Sequence, residues 1–224
     1  MIREQRSVED FDQVRFKGPG NLKISQSDEE SLTIIAPEYV LQHIECYVDS
    51  GVLTLGYVSP MIALLKVHRE TISYELRMKE VSAVDLLGSG NVLIPDLDND
   101  HVRIRVKGSG RVVLEQLTAD KFEAKISGSG KIKVVGDVEI QSINLSGSGD
   151  YNADTLISDF ADIRVSGSGH ARVSVSDELT VNISGSGVVS YAGYPDIYKQ
   201  ITGSGKVVRR RKENAKSTRG KGHA

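Results

Sequence analysis

Apolar and polar residues alternate on both sides of a three-residue phrase that returns along the chain. Around residues 128–130, for example, Ala124 and Ile126 stand four and two residues before the phrase. Ile132 and Val134 stand two and four residues after it, with polar residues between them. Alternation with a period of two is typical of a β-strand that has one apolar face. The pattern therefore predicts a pair of strands joined by the phrase.

The phrase is Gly-Ser-Gly, and its copies lie 18 to 20 residues apart, with a related Gly-Pro-Gly near the start. A fixed period near twenty residues predicts one supersecondary unit stacked on copies of itself. Glycine on both sides of serine offers two positions where a positive φ is free of steric cost, so we expect a tight turn followed by a looser return. The predicted turn glycines are Gly18, Gly20, Gly88, Gly90, Gly108, Gly110, Gly128, Gly130, Gly147, Gly149, Gly167, Gly169, Gly185, Gly187, Gly203 and Gly205.

Two all-β architectures fit these units. One is a meander of antiparallel hairpins, which would form a β-sandwich or barrel; the other is a single-stranded β-helix, or β-solenoid, with coils of about 20 residues. Only the solenoid explains why the same turn recurs, because its coils place like residues above like residues. The sequence therefore favours the solenoid, and we expect the turn serines to form a column that shares hydrogen bonds. The predicted column is Ser89, Ser109, Ser129, Ser148, Ser168, Ser186 and Ser204.

The chain divides into four predicted segments. Divergent coils near the start are expected because a terminal coil must cover the end of the stack. Within residues 61–78, a short helix is one interpretation of 61–65, and 71–76 fits a strand better. The segments are a polar N-terminal segment (1–10), divergent N-terminal coils or cap (11–87), the regular Gly-Ser-Gly solenoid (88–208) and a basic disordered tail (209–224).

The last return contains Tyr191, Gly193 and Pro195. An aromatic cluster with a backbone-fixing proline fits either a ligand platform or a C-terminal cap. We interpret it as a cap, because the strand ends need closure whatever the function.

Composition narrows the function classes. Hydrophobic residues make up 39% of the chain, with no Trp and four Phe, which indicates a thin core of Val, Ile and Leu. The net charge is −2, and the body is acidic once the basic tail is set aside, which argues against nucleic acid as a partner. Cys46 is the single cysteine, so no intramolecular disulfide is expected. No stretch has membrane-spanning length and no leader is visible, so we expect either a cytosolic chain or one whose leader has been removed.

Candidate catalytic groups are few. Glu115 and Asp154 stand five residues past their turns, two coils apart, which predicts a separation of about 10 Å. That is outside the ~6.5–9.5 Å of an inverting glycosidase pair. The histidines show no ligand spacing, the turns lack a phosphate-loop pattern, and the repeat serines lack a paired base. We therefore predict no catalytic residue, cofactor or metal site. A further acidic group, interpreted as solvated turn residues, is Asp150, Asp154, Asp159 and Asp162.

Three sets of residues together resemble a known bacterial family. Turns followed by Asn or Asp occur at residues 88–91 and 147–150. A Phe strand, a Gly-rich turn and an acidic loop open the chain from Phe11 to Ala36, and a phrase of Tyr, Gly, Pro and one more Gly-Ser-Gly closes it at residues 191–205. Over residues 7–208 the chain resembles the auto-transporter adhesin head GIN domain family. The resemblance implies a right-handed β-helix-like solenoid, location in the cell envelope or outside the cell, and a role in adhesion.

Three functional hypotheses follow. The first is a non-enzymatic envelope or surface protein that presents a rigid β-surface for adhesion or assembly, with a surface protein or glycan of unknown identity as partner. The second is a carbohydrate-binding or carbohydrate-degrading β-helix, which contiguous aromatic or acidic ridges would favour. The third is a cytosolic scaffold. The family resemblance also allows a homo-oligomer.

Overall fold

The computed structural model describes residues 1–58 and 72–210, which form eighteen strands and one short helix, α1 (Glu38–Leu41). Residues 61–71, where a short helix was one alternative, and residues 211–224 of the predicted tail lie outside the described residues. The strands are β1 (Ile2–Arg6), β2 (Gln13–Lys17), β3 (Asn21–Gln26), β4 (Ser31–Ala36), β5 (Ile44–Asp49), β6 (Val52–Tyr57), β7 (Ser73–Met78), β8 (Ala83–Gly88), β9 (Asn91–Ile94), β10 (Leu97–Asp98), β11 (His101–Gly108), β12 (Arg111–Gly128), β13 (Lys131–Gly147), β14 (Asp150–Gly167), β15 (His170–Gly185), β16 (Val188–Ala192), β17 (Asp196–Gly203) and β18 (Lys206–Arg209).

Consecutive coils pair in parallel, turn upon turn. Gly108 is in register with Gly88 on one side and with Gly128 on the other. The same parallel register continues through β13, β14 and β15 to β17. Parallel pairing of successive units is incompatible with an antiparallel meander, because hairpins pair in opposite directions. The structure confirms the β-solenoid prediction.

The return of each coil is more regular than expected. β12 to β15 each run from one Gly-Ser-Gly turn to the next as a single bent strand. The bends coincide with register shifts, for example between Leu114 and Leu117 on β12 and between Lys133 and Val135 on β13. A bulge bends a strand while its neighbours stay paired. The prediction of a loose return is therefore wrong for these coils.

The two glycines of a turn are needed for different reasons. Gly128 has a φ of +112°, and a Cβ there would lie 2.7 Å from the carbonyl oxygen of Gly108 in the preceding coil. Gly130 is outside the positive-φ region, but a Cβ there would lie 2.5 Å from Cγ1 of Val106 in the interior. The expectation of positive φ at both glycines of Gly-Ser-Gly is wrong, because the second glycine is required by packing against the coil below.

The turns are joined through the backbone. The amide of Ser129 donates to the carbonyl of Gly108 at 3.0 Å, and the amide of Ser148 donates to that of Gly128 at 2.9 Å. In residues 1–58 and 72–210 the hydroxyls of the turn serines make no side-chain hydrogen bond with one another. The turns are therefore joined by a ladder of backbone amides and carbonyls, and the serines themselves are exposed to water.

The N-terminal end is assembled out of chain order. β2 and β3 stack on β8 and β9, and β6 and β7 stack on the other side of β2 and β3. β5 then pairs antiparallel with β6, β4 pairs antiparallel with β7, and β1 pairs with β4. The antiparallel strands close this end of the stack.

The interior is filled by side chains, and it contains one polar network. Tyr151 and Gln141 are fully buried, and the Tyr151 hydroxyl donates to Oε1 of Gln141 at 3.1 Å. The Gln141 amide donates to the Ser158 hydroxyl at 2.6 Å, which in turn donates to the carbonyl of Ser174. The Phe122 ring stacks beside Tyr151 with centroids 6.5 Å apart. Because each of these buried polar groups has a hydrogen-bond partner, burying the network costs little folding free energy.

We predict that Gly128→Val and Gly130→Val each lower the free energy of unfolding by about 2–5 kcal/mol. The first places a β-branched residue in the left-handed region, and the second drives a methyl into the interior. Chemical denaturation monitored by circular dichroism measures the loss. Ser129→Ala in the same turn is the control and should change the free energy by less than about 0.5 kcal/mol. Glycine variants as stable as the control would contradict the stacked-turn geometry.

We also predict alkaline destabilisation through Tyr151. Burial raises the pKa of Tyr151 well above its ordinary value. Above about pH 10 the unfolded chain loses this proton, while the folded chain keeps it. The contribution of Tyr151 to stability is therefore fully present below about pH 10, and the free energy of unfolding falls by about 1.4 kcal/mol per pH unit above it. Urea unfolding between pH 9 and 11.5 should show a shallower loss in Tyr151→Phe. Tyr198→Phe, at an exposed tyrosine, should keep the wild-type slope, and equal slopes in both variants would count against a neutral buried Tyr151.

Candidate functional site

Charged side chains separate to opposite edges of the coils. The turn edge is defined as the four residues on either side of each turn, and its carboxylates in the described chain are Asp85 and Asp150. The cations there come from many coils. Except for Lys199 and Arg209 of the last coil, they occupy the positions between the inward apolar residues, which the strand alternation points to water. They are Arg15, Lys17, Lys23, Arg105, Lys107, Arg111, Lys125, Lys131, Lys133, Arg164, Arg172, Lys199, Lys206 and Arg209.

The return edge is defined as the bend between two turns, and it is acidic. The coils are in register at Lys121, Ile140 and Phe160, so the carboxylates that directly precede these residues stack in successive coils. Part of this edge borders a groove of about 400 Å³. The stacked carboxylates are Asp120, Glu139 and Asp159, with Asp100 one coil before them and Asp177 at the register shift in the coil after them.

The densest cationic group lies on the two coils whose turns are residues 108–110 and 128–130. Arg105 is in register with Lys125, and Arg111 is in register with Lys131. Cations directly opposite each other on neighbouring strands repel and destabilise the pair. All members of the group are exposed, and in the described part of the chain none forms a salt bridge. We call this group the basic patch: Arg105, Lys107, Arg111, Lys125, Lys131 and Lys133.

The acidic residues considered as a catalytic group do not converge. Asp150 forms a salt bridge with Arg172 at 3.3 Å, and Asp162 forms one with Arg164 at 2.6 Å. Asp154 pairs with Arg210, and Asp159 accepts a hydrogen bond from Ser176 at 2.9 Å. Each carboxylate thus has its own partner on the surface, and their nearness in sequence does not produce a shared site.

Glu115 and Asp154 are not equivalent positions. Val135 pairs with Thr155, and the register shift after Lys133 displaces Asp154 from the column that the spacing from the turns predicts. Counting from the turns missed this shift, because a bulge leaves no signal in the alternation of a short segment.

The remaining candidate ligands are dispersed. Nε2 of His101 lies 3.4 Å from Oε1 of Glu123, and Lys121 approaches the same oxygen at 2.6 Å. The hydrogen bond from Lys121 holds the pKa of Glu123 below its ordinary value. Within the two described ranges, no group of three His, Cys, Asp or Glu side chains is arranged to hold a metal ion. No helix in those ranges has the length and apolarity to cross a membrane.

The predicted cap residues lie on the last coil. Tyr191 is nearly buried, and Gly193 has a φ of +107°. Pro195 follows at the bend, and between them Tyr194 is exposed, with the Arg209 guanidinium 3.6 Å from its ring centroid. Their role as a cap remains a proposal.

The sequence matches one family model over residues 10–195, and that model is described as "Putative auto-transporter adhesin, head GIN domain". The chain belongs to this family. No protein of curated function matches the sequence.

Several crystal structures have the same fold as this head GIN domain, including three from Bacteroides and Parabacteroides. One named as "a putative adhesin" from Bacteroides fragilis NCTC 9343 has a TM-score of 0.84 at 23% identity, covering 93% of this chain and 95% of the other. One named as a "Putative lipid binding protein" from Parabacteroides distasonis ATCC 8503 has a TM-score of 0.78 at 24% identity, covering 94% and 96%. A third, "a putative adhesin" from Parabacteroides merdae ATCC 43184, has a TM-score of 0.74 at 21% identity, covering 94% and 96%.

We predict that the ion pair between Asp154 and Arg210 stabilises the fold of this head GIN domain. Arg210 also donates its backbone amide to the carbonyl of Tyr191 at 2.7 Å, so the ion pair fastens the end of β18 to the coils before it. Asp154→Asn and Arg210→Gln should each lower the free energy of unfolding by up to about 1 kcal/mol. The double variant should lose little more than either single variant, as urea unfolding in a double-mutant cycle would show. Fully additive losses would contradict the pairing.

Proposed function

We propose that this head GIN domain is a non-enzymatic module of the bacterial cell envelope or surface, which presents a rigid solenoid face for adhesion or assembly. The family match over residues 10–195 carries the proposal. Two of the structural neighbours carry the name "putative adhesin", which agrees with it.

The surface has the properties that such a role needs. Backbone ladders hold each coil on the next, so side chains on the outside keep fixed spacings of about 4.8 Å along the stack. A preformed surface loses little conformational entropy when it binds. The separation of cations from carboxylates suits the turn edge to anionic partners and the return edge to cationic ones.

The filled interior of the solenoid argues against a ligand bound inside it. Large side chains such as Phe16, Tyr74 and Phe122 are buried at its centre, and Phe16 meets Tyr74 edge-on at 5.2 Å. A lipid, the ligand class in the name of one structural neighbour, would have to bind on the outside of this chain. The stacked carboxylates of the return edge form an acidic ridge, which favours the carbohydrate-binding alternative. The carbohydrate-degrading alternative has less support than adhesion, because the acidic residues weighed as a catalytic group each have a separate partner.

The proposal predicts saturable binding without turnover. Purified protein should bind a subset of glycans or surface proteins in an array of bacterial and host surface components, and a chain that ends at Arg210 should bind the same subset. Bound glycans should release no new reducing ends over a day. Fractionation of the native bacterium should place the protein in the envelope. Glycan cleavage, or binding to no surface component together with a cytosolic location, would overturn the proposal.

A further inference from the structure

We propose that the basic patch binds a linear acidic polysaccharide, whose carboxylate or sulfate groups lie against the cations of the two coils. This inference rests on the proposed adhesion function and names the partner class. The patch is bounded along the stack by the register neighbours Asp85 and Asp150, so the cationic surface has a defined extent.

The first argument is electrostatic. Arg111 and Lys131 lie side by side in register, about 4.8 Å apart along the stack, and neither forms a salt bridge with a described residue. Asp150 is the register neighbour of Lys131 on its other side, but its salt bridge is with Arg172. Opposed cations repel, and a bound anion between them removes that repulsion and adds charge-assisted hydrogen bonds. The planar guanidiniums of Arg105 and Arg111 also suit bidentate contact with carboxylate or sulfate.

The second argument is the shape of the surface. Arg105 and Lys107 precede the turn on one coil, and Arg111 follows it, so the cations continue around the corner of the solenoid. Lys125 and Lys131 repeat this course on the next coil. A partner that meets both sides of a convex corner must bend over it. A flexible linear polymer can do so, whereas a rigid duplex or a flat protein face meets one side.

The third argument separates polysaccharide from single-stranded nucleic acid. Binding of single strands relies on aromatic side chains on which bases stack. The outward neighbours within the patch are Val113, Ser109, Ser127 and Ser129, none of them aromatic. Exposed serine hydroxyls beside the cations can instead exchange hydrogen bonds with sugar hydroxyls.

The test compares two matched double variants. Arg111→Gln with Lys131→Gln removes the opposed pair of the patch. Arg77→Gln with Lys206→Gln removes one Arg and one Lys that are also exposed and form no salt bridge in the described chain, but lie on other coils. Both variants change the net charge equally. Unfolding midpoints should match wild type within error or rise slightly in the patch variant, because repulsion is relieved.

Binding is measured by biolayer interferometry on immobilised alginate, dextran sulfate, neutral dextran and oligo-dT at low and physiological salt. Wild type should bind alginate or dextran sulfate saturably and more weakly at higher salt, and it should bind neutral dextran and oligo-dT weakly. The two acidic polymers distinguish carboxylate from sulfate. The patch variant should lose about tenfold in affinity and the control less than about twofold.

Four results would overturn the inference. Equal losses in the two variants would show a response to net charge alone, and preferential patch-dependent binding of oligo-dT would assign the patch to nucleic acid. Salt-sensitive self-association that the patch variant abolishes would assign it to the acidic return edge of a second copy. Absence of binding to both acidic polymers, while the array still shows binding to other surface components, would reject the patch and leave the adhesion proposal intact.

Discussion

The structure depends on the close approach of one turn to the next. The carbonyl of Gly108 accepts the amide of Ser129, and the peptide groups stack so tightly that no Cβ fits between Gly128 and Gly108. The same approach recurs at the six later Gly-Ser-Gly turns, where a Cβ on the first glycine would lie 2.5–2.7 Å from a carbonyl oxygen of the coil before, which explains why the phrase is constant there while the residues beside it differ. A backbone contact of this kind accepts glycine alone, whereas the interior accepts any apolar residue of suitable volume.

Once the backbone spacing is set, the outside of the solenoid is free to vary in chemistry. The repeat constrains the inward positions and the glycines, and the outward positions carry cations near the turns and carboxylates near the bends. The net charge of −2 is therefore a sum over two surfaces of opposite charge, the turn edge and the return edge. The acidic overall charge of the body argues against anionic partners at the return edge. It does not argue against an anionic partner at the basic patch.

The two ends of the stack are finished differently. At the N-terminal end, antiparallel β4 and β5 cover the parallel coils. At the other end, charged residues occupy positions that point inward elsewhere, since Lys199 is in register with Val181 and Arg209 with Tyr191. Inward-pointing charge at an edge strand disfavours pairing with another chain.

The sequence by itself determined the class of the fold, the strands around each turn and the family, because period-two alternation and a twenty-residue repeat are local signals that recur. It also separated the inward side chains from the outward ones. Tertiary structure alone decided what depends on contact between distant segments. The stacking of β6 and β7 on β2 and β3 follows no local pattern, since β4 and β5 intervene in the chain. The need for glycine at Gly130 comes from Val106 of the previous coil, and the bulges that displace Asp154 arise where the coil bends. Arg111 and Lys131 each directly follow a turn, so the repeat aligns them in the sequence, and the parallel register places them side by side in the folded chain.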